Sequence, residues 1–184
     1  MEENEIARRE NEFDEIQYNA SEINIALKKY RPKDCFCLVA LLNTDIYPTE
    51  ENEKGLKFVK GLAFPAFNTA VFSFARYARE AAEWDEKEEQ TLSRQTNVMT
   101  HEISHLFGLM HCPYYECLMN GGKSPEEGRR KPKPIVVCPV CLKKLHCNLK
   151  FQTADRFIKL MEICKELNFM EEAQAYQTYL SLHP

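Results

Sequence analysis

The chain has 184 residues, a formal charge of -4 and a pI near 5.8, which allows one domain with a sizeable core and not two of ordinary size. The acidic balance argues against a nucleic-acid surface, and no stretch approaches the roughly 18 apolar residues of a membrane span. The charged start, Met1 to Ile6, lacks the apolar segment of a secretory signal, so a cytoplasmic or nuclear setting is expected. In such a reducing setting the 8 cysteines favour metal binding over disulfides.

Taken in chain order, Ser21 is read as the N-cap of a first helix whose Ile23, Ala26, Leu27 and Tyr30 share one side and which Pro32 ends. No strand is expected before Ser21. Residues 35–42 are an apolar run of strand length, expected to be buried on both faces, with Cys35 and Cys37 as core residues. Residues 43–48 then form the exit turn. Weaker strands are expected over 57–63 and 69–75, and a loop or surface helix around Trp84. From Thr91 to Phe107 the positions Leu92, Thr96, Met99, Ile103 and Leu106 or Phe107 recur at three to four residues and predict a helix, one side of which packs on the sheet. After Asn148 helical spacing returns, first through Phe157, Leu160, Met161, Cys164 and Leu167, then over 171–180.

That predicted helix ends in His101, Glu102, His105, Gly108 and His111, which read H-E-x-x-H-x-x-G-x-x-H. Residues i and i+4 of a helix lie one above the other, so His101 and His105 can face one metal ion. Gly108 suits the left-handed residue that ends a helix, which lets the chain turn and return His111 as third ligand. Three nitrogens leave one tetrahedral position open, the mark of catalytic zinc. Glu102 stands beside the first ligand as the expected general base. Three of the chain's 5 histidines fall on these positions, which ordinary helix composition does not explain.

Cys112 and Cys117 form a C-x4-C pair and Cys138 and Cys141 a C-x2-C pair, matching a closed, structural zinc site that would clip together loop-rich segments. His146 and Cys147 lie near enough in sequence to replace one ligand. Cys164 is read as a core residue. Met119, just before the turn signal Asn120-Gly121-Gly122, is expected to pack its thioether beneath the imidazoles. Arg129, Arg130 and Lys131 belong to a solvated, proline-rich loop. A zinc finger for nucleic acid built on Cys138 and Cys141 lacks a groove-entering helix at finger spacing.

The histidine motif fused to Cys112-x4-Cys117-x-Met119 and followed by Cys138-x-x-Cys141 resembles the archaemetzincins. The similarity takes in residues 43–48, 58–61 and 71–77 and covers about residues 25 to 165; the tail after Asn168 lies outside it. Ser104 stands where related chains usually have Gly. The resemblance implies an α+β, zincin or metzincin-like fold in a single metallopeptidase domain, 1–184. Its upper part, 1–111, would hold a twisted mixed sheet, a backing helix and the active-site helix. The lower part, 112–184, would hold the Met-turn at Met119, the four-cysteine zinc and the C-terminal helices. It further implies two Zn2+ per chain, peptide or protein substrates, an aminopeptidase-like preference for free N-termini, and a monomer. Tyr114 and Tyr115 are read first as surface or packing residues, with a hydroxyl contribution to the oxyanion as the alternative. The competing function is a zinc-stabilised protein-binding module with an unproductive cleft.

Overall fold

The computed structural model describes residues 6–49, 56–121 and 134–182. Among these are six strands and six helices, in the order β1 Arg8–Glu10, β2 Ile16–Asn19, α1 Ala20–Tyr30, β3 Leu38–Leu42, β4 Asp45–Tyr47, β5 Gly61–Phe64, β6 Thr69–Ser73, α2 Ala75–Trp84, α3 Glu88–Leu106, α4 Pro139–Leu149, α5 Thr153–Glu166 and α6 Met170–Leu182. Packing divides the chain into two compact units. One is Met1–Glu86 with His101–Leu106, the other Lys87–Thr100 with Phe107–Pro184. The α+β class is as expected.

The first unit carries two small mixed sheets, β1-β2-β4 and β3-β6-β5, where one sheet was anticipated. The chain bends at residues 43 and 44, so β3 runs parallel to β6 while β4 runs parallel to β2. Half of the expected exit turn is therefore a strand, Asp45–Tyr47, with Asp45 and Ile46 buried. Two strands also precede Ser21, against expectation; they are short and polar, and β1 is exposed throughout, so no alternation betrays them. The strand buried on both faces is β6, whose five residues are all buried. In β3 only Leu38–Leu42 pairs, and Leu41 is exposed. Cys35 is exposed and Cys37 half-buried, because the apolar run begins before the strand does.

The cap of α1 is Asn19 and not Ser21. Its side chain accepts from the N–H groups of Ser21 and Glu22 at 2.9 and 3.1 Å, satisfying donors that a helix start leaves unpaired. Arg31, held extended by the following Pro32, ends the helix. Ala20 and Ile23 pack with Ile46, Val59 and Val71 into this unit's core. Asn24 is fully buried, and its Nδ2 donates to Leu62 O at 3.0 Å, tying α1 to β5.

Directly after β6, α2 brings in Arg76, whose guanidinium donates to the buried Asp45 carboxylate at 2.8 and 2.6 Å and reaches Glu12 at 2.8 Å. Asn11 and Gln17 also donate to Asp45, and the guanidinium lies 3.6 Å from the centre of the Phe58 ring. The Arg76 hydrogen bond holds the Glu12 carboxyl down at about 2.

In the second unit, α4 was not foreseen. Pro139 at its first position and Cys138 as cap start it, a helix-start signal hidden by the cysteine pattern. Cys141 and Leu145 are its buried residues. The α5 and α6 hairpin matches the expected stripes and closes over Phe157, Cys164, Phe169, Ala173 and Tyr176. Cys164 is a core residue as anticipated. The basic run at Arg129, Arg130 and Lys131 lies outside the described residues.

Candidate metal centres

The helix α3 places His101 and His105 one turn apart with their Nε2 atoms 3.1 Å from each other and the rings crossed at 88°. It stops at Leu106. Gly108 has φ +84°, a left-handed conformation that disfavours any residue with a Cβ. Asn148 Nδ2 donates to Phe107 O at 3.0 Å, satisfying a carbonyl at the helix end. The chain then returns His111, and one nitrogen from each of the three imidazoles lies within 4.8 Å of the others. His101 is buried, His105 half-buried and His111 exposed.

The apolar stripe expected on α3 is only half right. Leu92 is exposed and Leu106 buried, whereas Asn97, His101 and Ser104 are buried polar residues at helical spacing. Asn97 Nδ2 donates to Pro134 O at 2.9 Å. Ser104 is buried on the same helix. Glu102 follows His101 on the helix and is half-buried.

The four cysteines converge within the second unit. Cys112, Cys117, Cys138 and Cys141 are all buried and place their sulfurs within 4.8 Å of one another, while Cys112 Sγ and Cys138 Sγ are 3.7 Å apart. Zinc–sulfur bonds of about 2.3 Å in a tetrahedron put sulfurs about 3.8 Å apart, and zinc–nitrogen bonds of about 2.0–2.1 Å put nitrogens about 3.3 Å apart. Both donor sets fit zinc on that ground. Burial and the neighbouring sulfurs push the Cys117 and Cys141 thiols up. Burial opposes ionisation of Cys112 as well, but hydrogen bonds from the Tyr114 and Tyr115 backbone and the nearby thiols bring it down to about 7. Ionising all four this close together would require a cation to offset their repulsion.

Between Cys112 and Gly121 the loop is held by a network that the sequence did not announce. Cys112 N donates to Met119 O at 2.7 Å, Leu118 N to Val136 O at 2.9 Å, and Asn120 N to Cys117 O at 3.0 Å. Asn120 accepts from Cys117 N at 2.9 Å and donates to Cys112 O and Tyr115 O at 2.6 and 2.8 Å. Its place in a turn was legible; its three partners were not. Met119 is fully buried in the cluster around Leu109, Leu118, Val137 and Leu145. A Cβ built on Gly121 would lie 3.4 Å from His111 Nδ1, in ordinary contact, so the loop passes beside the third imidazole.

Tyr114 and Tyr115 are 73% and 56% exposed, in keeping with the surface reading. His146 packs edge-on against Phe151 and Cys147 is exposed; neither belongs to a metal-binding group among the described residues.

The sequence profile of Peptidase family M54 matches residues 7–147. Archaemetzincin-2 of Pongo abelii is 33% identical over 171 residues, covering 79% of this chain and 46% of that protein. The chain thus spans about half the length of the curated relatives it matches. Among solved structures, the archaemetzincin from Methanopyrus kandleri is similar with a TM-score of 0.56 and 32% identity, over 73% of this chain and 67% of that one. A zinc-dependent peptidase from Methanocorpusculum labreanum gives a TM-score of 0.56 at 26% identity, over 72% of this chain and 75% of that one.

Proposed function

The chain belongs to peptidase family M54, the archaemetzincins, and from that membership we propose that it is a zinc-dependent metallopeptidase. The observation that carries this reading is the convergence of the His101, His105 and His111 nitrogens beside Glu102. These three residues would hold the catalytic ion and leave a position open for solvent. Bound there, zinc supplies Lewis acidity, which makes water nucleophilic near neutral pH and polarises a carbonyl.

Glu102 takes the proton of the attacking water and delivers it to the leaving amine. His101 and His105 ride on one helical turn, so their separation is set by the backbone and not by flexible side chains. Cys112, Cys117, Cys138 and Cys141 hold a second, structural zinc, and Met119 forms the floor of the loop below His111. One domain thereby carries two sites with different tasks. The family resemblance favours peptides with free N-termini as substrates, hence aminopeptidase-like trimming by a monomer. All eight cysteines are free of disulfides, which suits a reducing compartment such as the cytoplasm or nucleus.

Digesting libraries of free and N-acetylated peptides, with and without phenanthroline, tests this. Chelator-sensitive trimming of the free library is expected. No cleavage of either library by fully metallated protein would favour a zinc-stabilised binding module instead.

A further inference from the structure

We infer that Asn120 is a positioning residue through which the four-thiolate site sets the third imidazole and so raises the affinity of the three-histidine site for its metal. The inference rests on the metallopeptidase reading and adds a coupling between its two sites. Residues 111–121 carry His111, two of the four thiolates and Met119 in one short loop. His111 is exposed, so burial of its own ring does not fix it. The loop meets it at two places, the peptide link to Cys112 and Gly121, where a Cβ would stand in ordinary contact with the ring at 3.4 Å.

Asn120 bears on both places. Its Nδ2 holds the Cys112 carbonyl at 2.6 Å and the Tyr115 carbonyl at 2.8 Å, and its Oδ1 receives the Cys117 N–H at 2.9 Å. One side chain therefore locks both ends and the middle of the loop. Gly121, whose Cβ position faces the imidazole, is the next residue in the chain. The sulfur side of the same loop is anchored by Cys117 Sγ, which accepts from Met119 N at 3.4 Å and Cys138 N at 3.2 Å. A cation gathering the four sulfurs fixes the frame that Asn120 transmits to His111. A ligand already held in position loses less freedom on binding, and groups that orient metal ligands typically contribute about 10–100-fold in affinity.

Cobalt(II) titration tests this without reference to catalysis. The soft thiolates are first filled with cadmium, and cobalt binding at the imidazoles is read from its visible absorption and from the histidine NMR signals. Asn120→Asp keeps the acceptor for Cys117 but sets a carboxylate against two carbonyls, and Asn120→Ser loses the reach to both. Each should weaken cobalt binding about 10–100-fold with cadmium stoichiometry unchanged, and wild type stripped of cadmium should show the same loss. Phe157→Leu, buried between α5 and α6, serves as a variant destabilised elsewhere in the same unit and should bind cobalt as wild type does. Wild-type affinity in both Asn120 variants, or equal weakening by Phe157→Leu, would overturn the positioning role. Absence of cobalt from the imidazoles of wild type would instead sink the metallopeptidase reading, and the coupling with it.

Discussion

Replacing Cys117 by Ser removes one thiolate from the centre of a core that has little else to hold it. Cys117 is fully buried in a cluster against which Phe107, Leu142 and Phe151 pack partly buried, and whose fully buried apolar side chains besides the cysteines are Leu109, Leu118, Met119, Val137 and Leu145. At about 1.5–3 kcal/mol each these contribute roughly 8–15 kcal/mol. Ordering the roughly eighteen residues of 109–121 and 134–138 opposes folding by about 1–2 kcal/mol per residue, or roughly 18–36 kcal/mol. The ordering cost exceeds this burial, and a structural zinc, at about 10–16 kcal/mol, is large enough to make up the difference. Cys117→Ser, or removal of the ion by a chelator, should therefore melt this loop. Hydrogen exchange reads it directly. The amides of Cys112, Leu118 and Asn120, which donate to Met119 O, Val136 O and Cys117 O, should exchange about a thousand-fold faster or more, since about 4 kcal/mol suffices for that. The amides of β6, in the other unit, should keep their protection. Unchanged protection at Cys112 and Leu118 in demonstrably metal-free protein would refute the reasoning.

Glu102→Gln should retain zinc by elemental analysis while peptide hydrolysis falls by about 10²–10⁴-fold; hydrolysis at the parental rate would remove the general-base role. Asp45→Ala removes the more buried carboxylate, 2% exposed, from Arg76 and leaves Glu12 as its remaining ion pair, so the cost should fall below the about 3–5 kcal/mol of a fully unpaired buried charge, measurable by urea denaturation. Glu12 adds a pH dependence. Its folded pKa, about 2, lies below the ordinary 4.5, so its contribution is fully present above about 4.5 and is lost as pH falls toward about 2. Because Glu12 is 37% exposed, solvent screening limits the amplitude to about 1 kcal/mol. Glu12→Gln should remove that part of the acid slope and leave denaturation at neutral pH displaced by the same amount.

The convergence of the three histidines and of the four cysteines was legible because its information is local. His101 and His105 need only a helix, Gly108 only a left-handed turn, and the cysteine pairs only their spacing. What escaped was set by partners distant in sequence. Residues 43–48 carry a Pro and polar residues and read as a turn, yet Asp45–Tyr47 becomes a strand because β2 lies alongside and Arg76, Gln17 and Asn11 satisfy Asp45. Strand propensity depends on such pairing more than on the residues themselves. The run 35–42 misled for the converse reason: apolar composition does not reveal that Cys35 stays exposed and Leu41 faces solvent. On α3 the hydrophobic period hid a buried polar stripe of Asn97, His101 and Ser104, since buried polar residues become intelligible only when their partners, such as Pro134 O for Asn97, are known. Asn120 belongs to the same class, a turn residue by type whose consequence comes from three backbone partners.

X-ray absorption at the zinc edge of fully loaded protein tests the central claim most directly. Two zinc ions per chain are expected, one with four sulfur neighbours at about 2.3 Å and one with nitrogen and oxygen neighbours at about 2.0–2.1 Å. The second signal should vanish in His101→Ala while the first persists. Zinc surrounded by sulfur alone, at one ion per chain, would contradict the account.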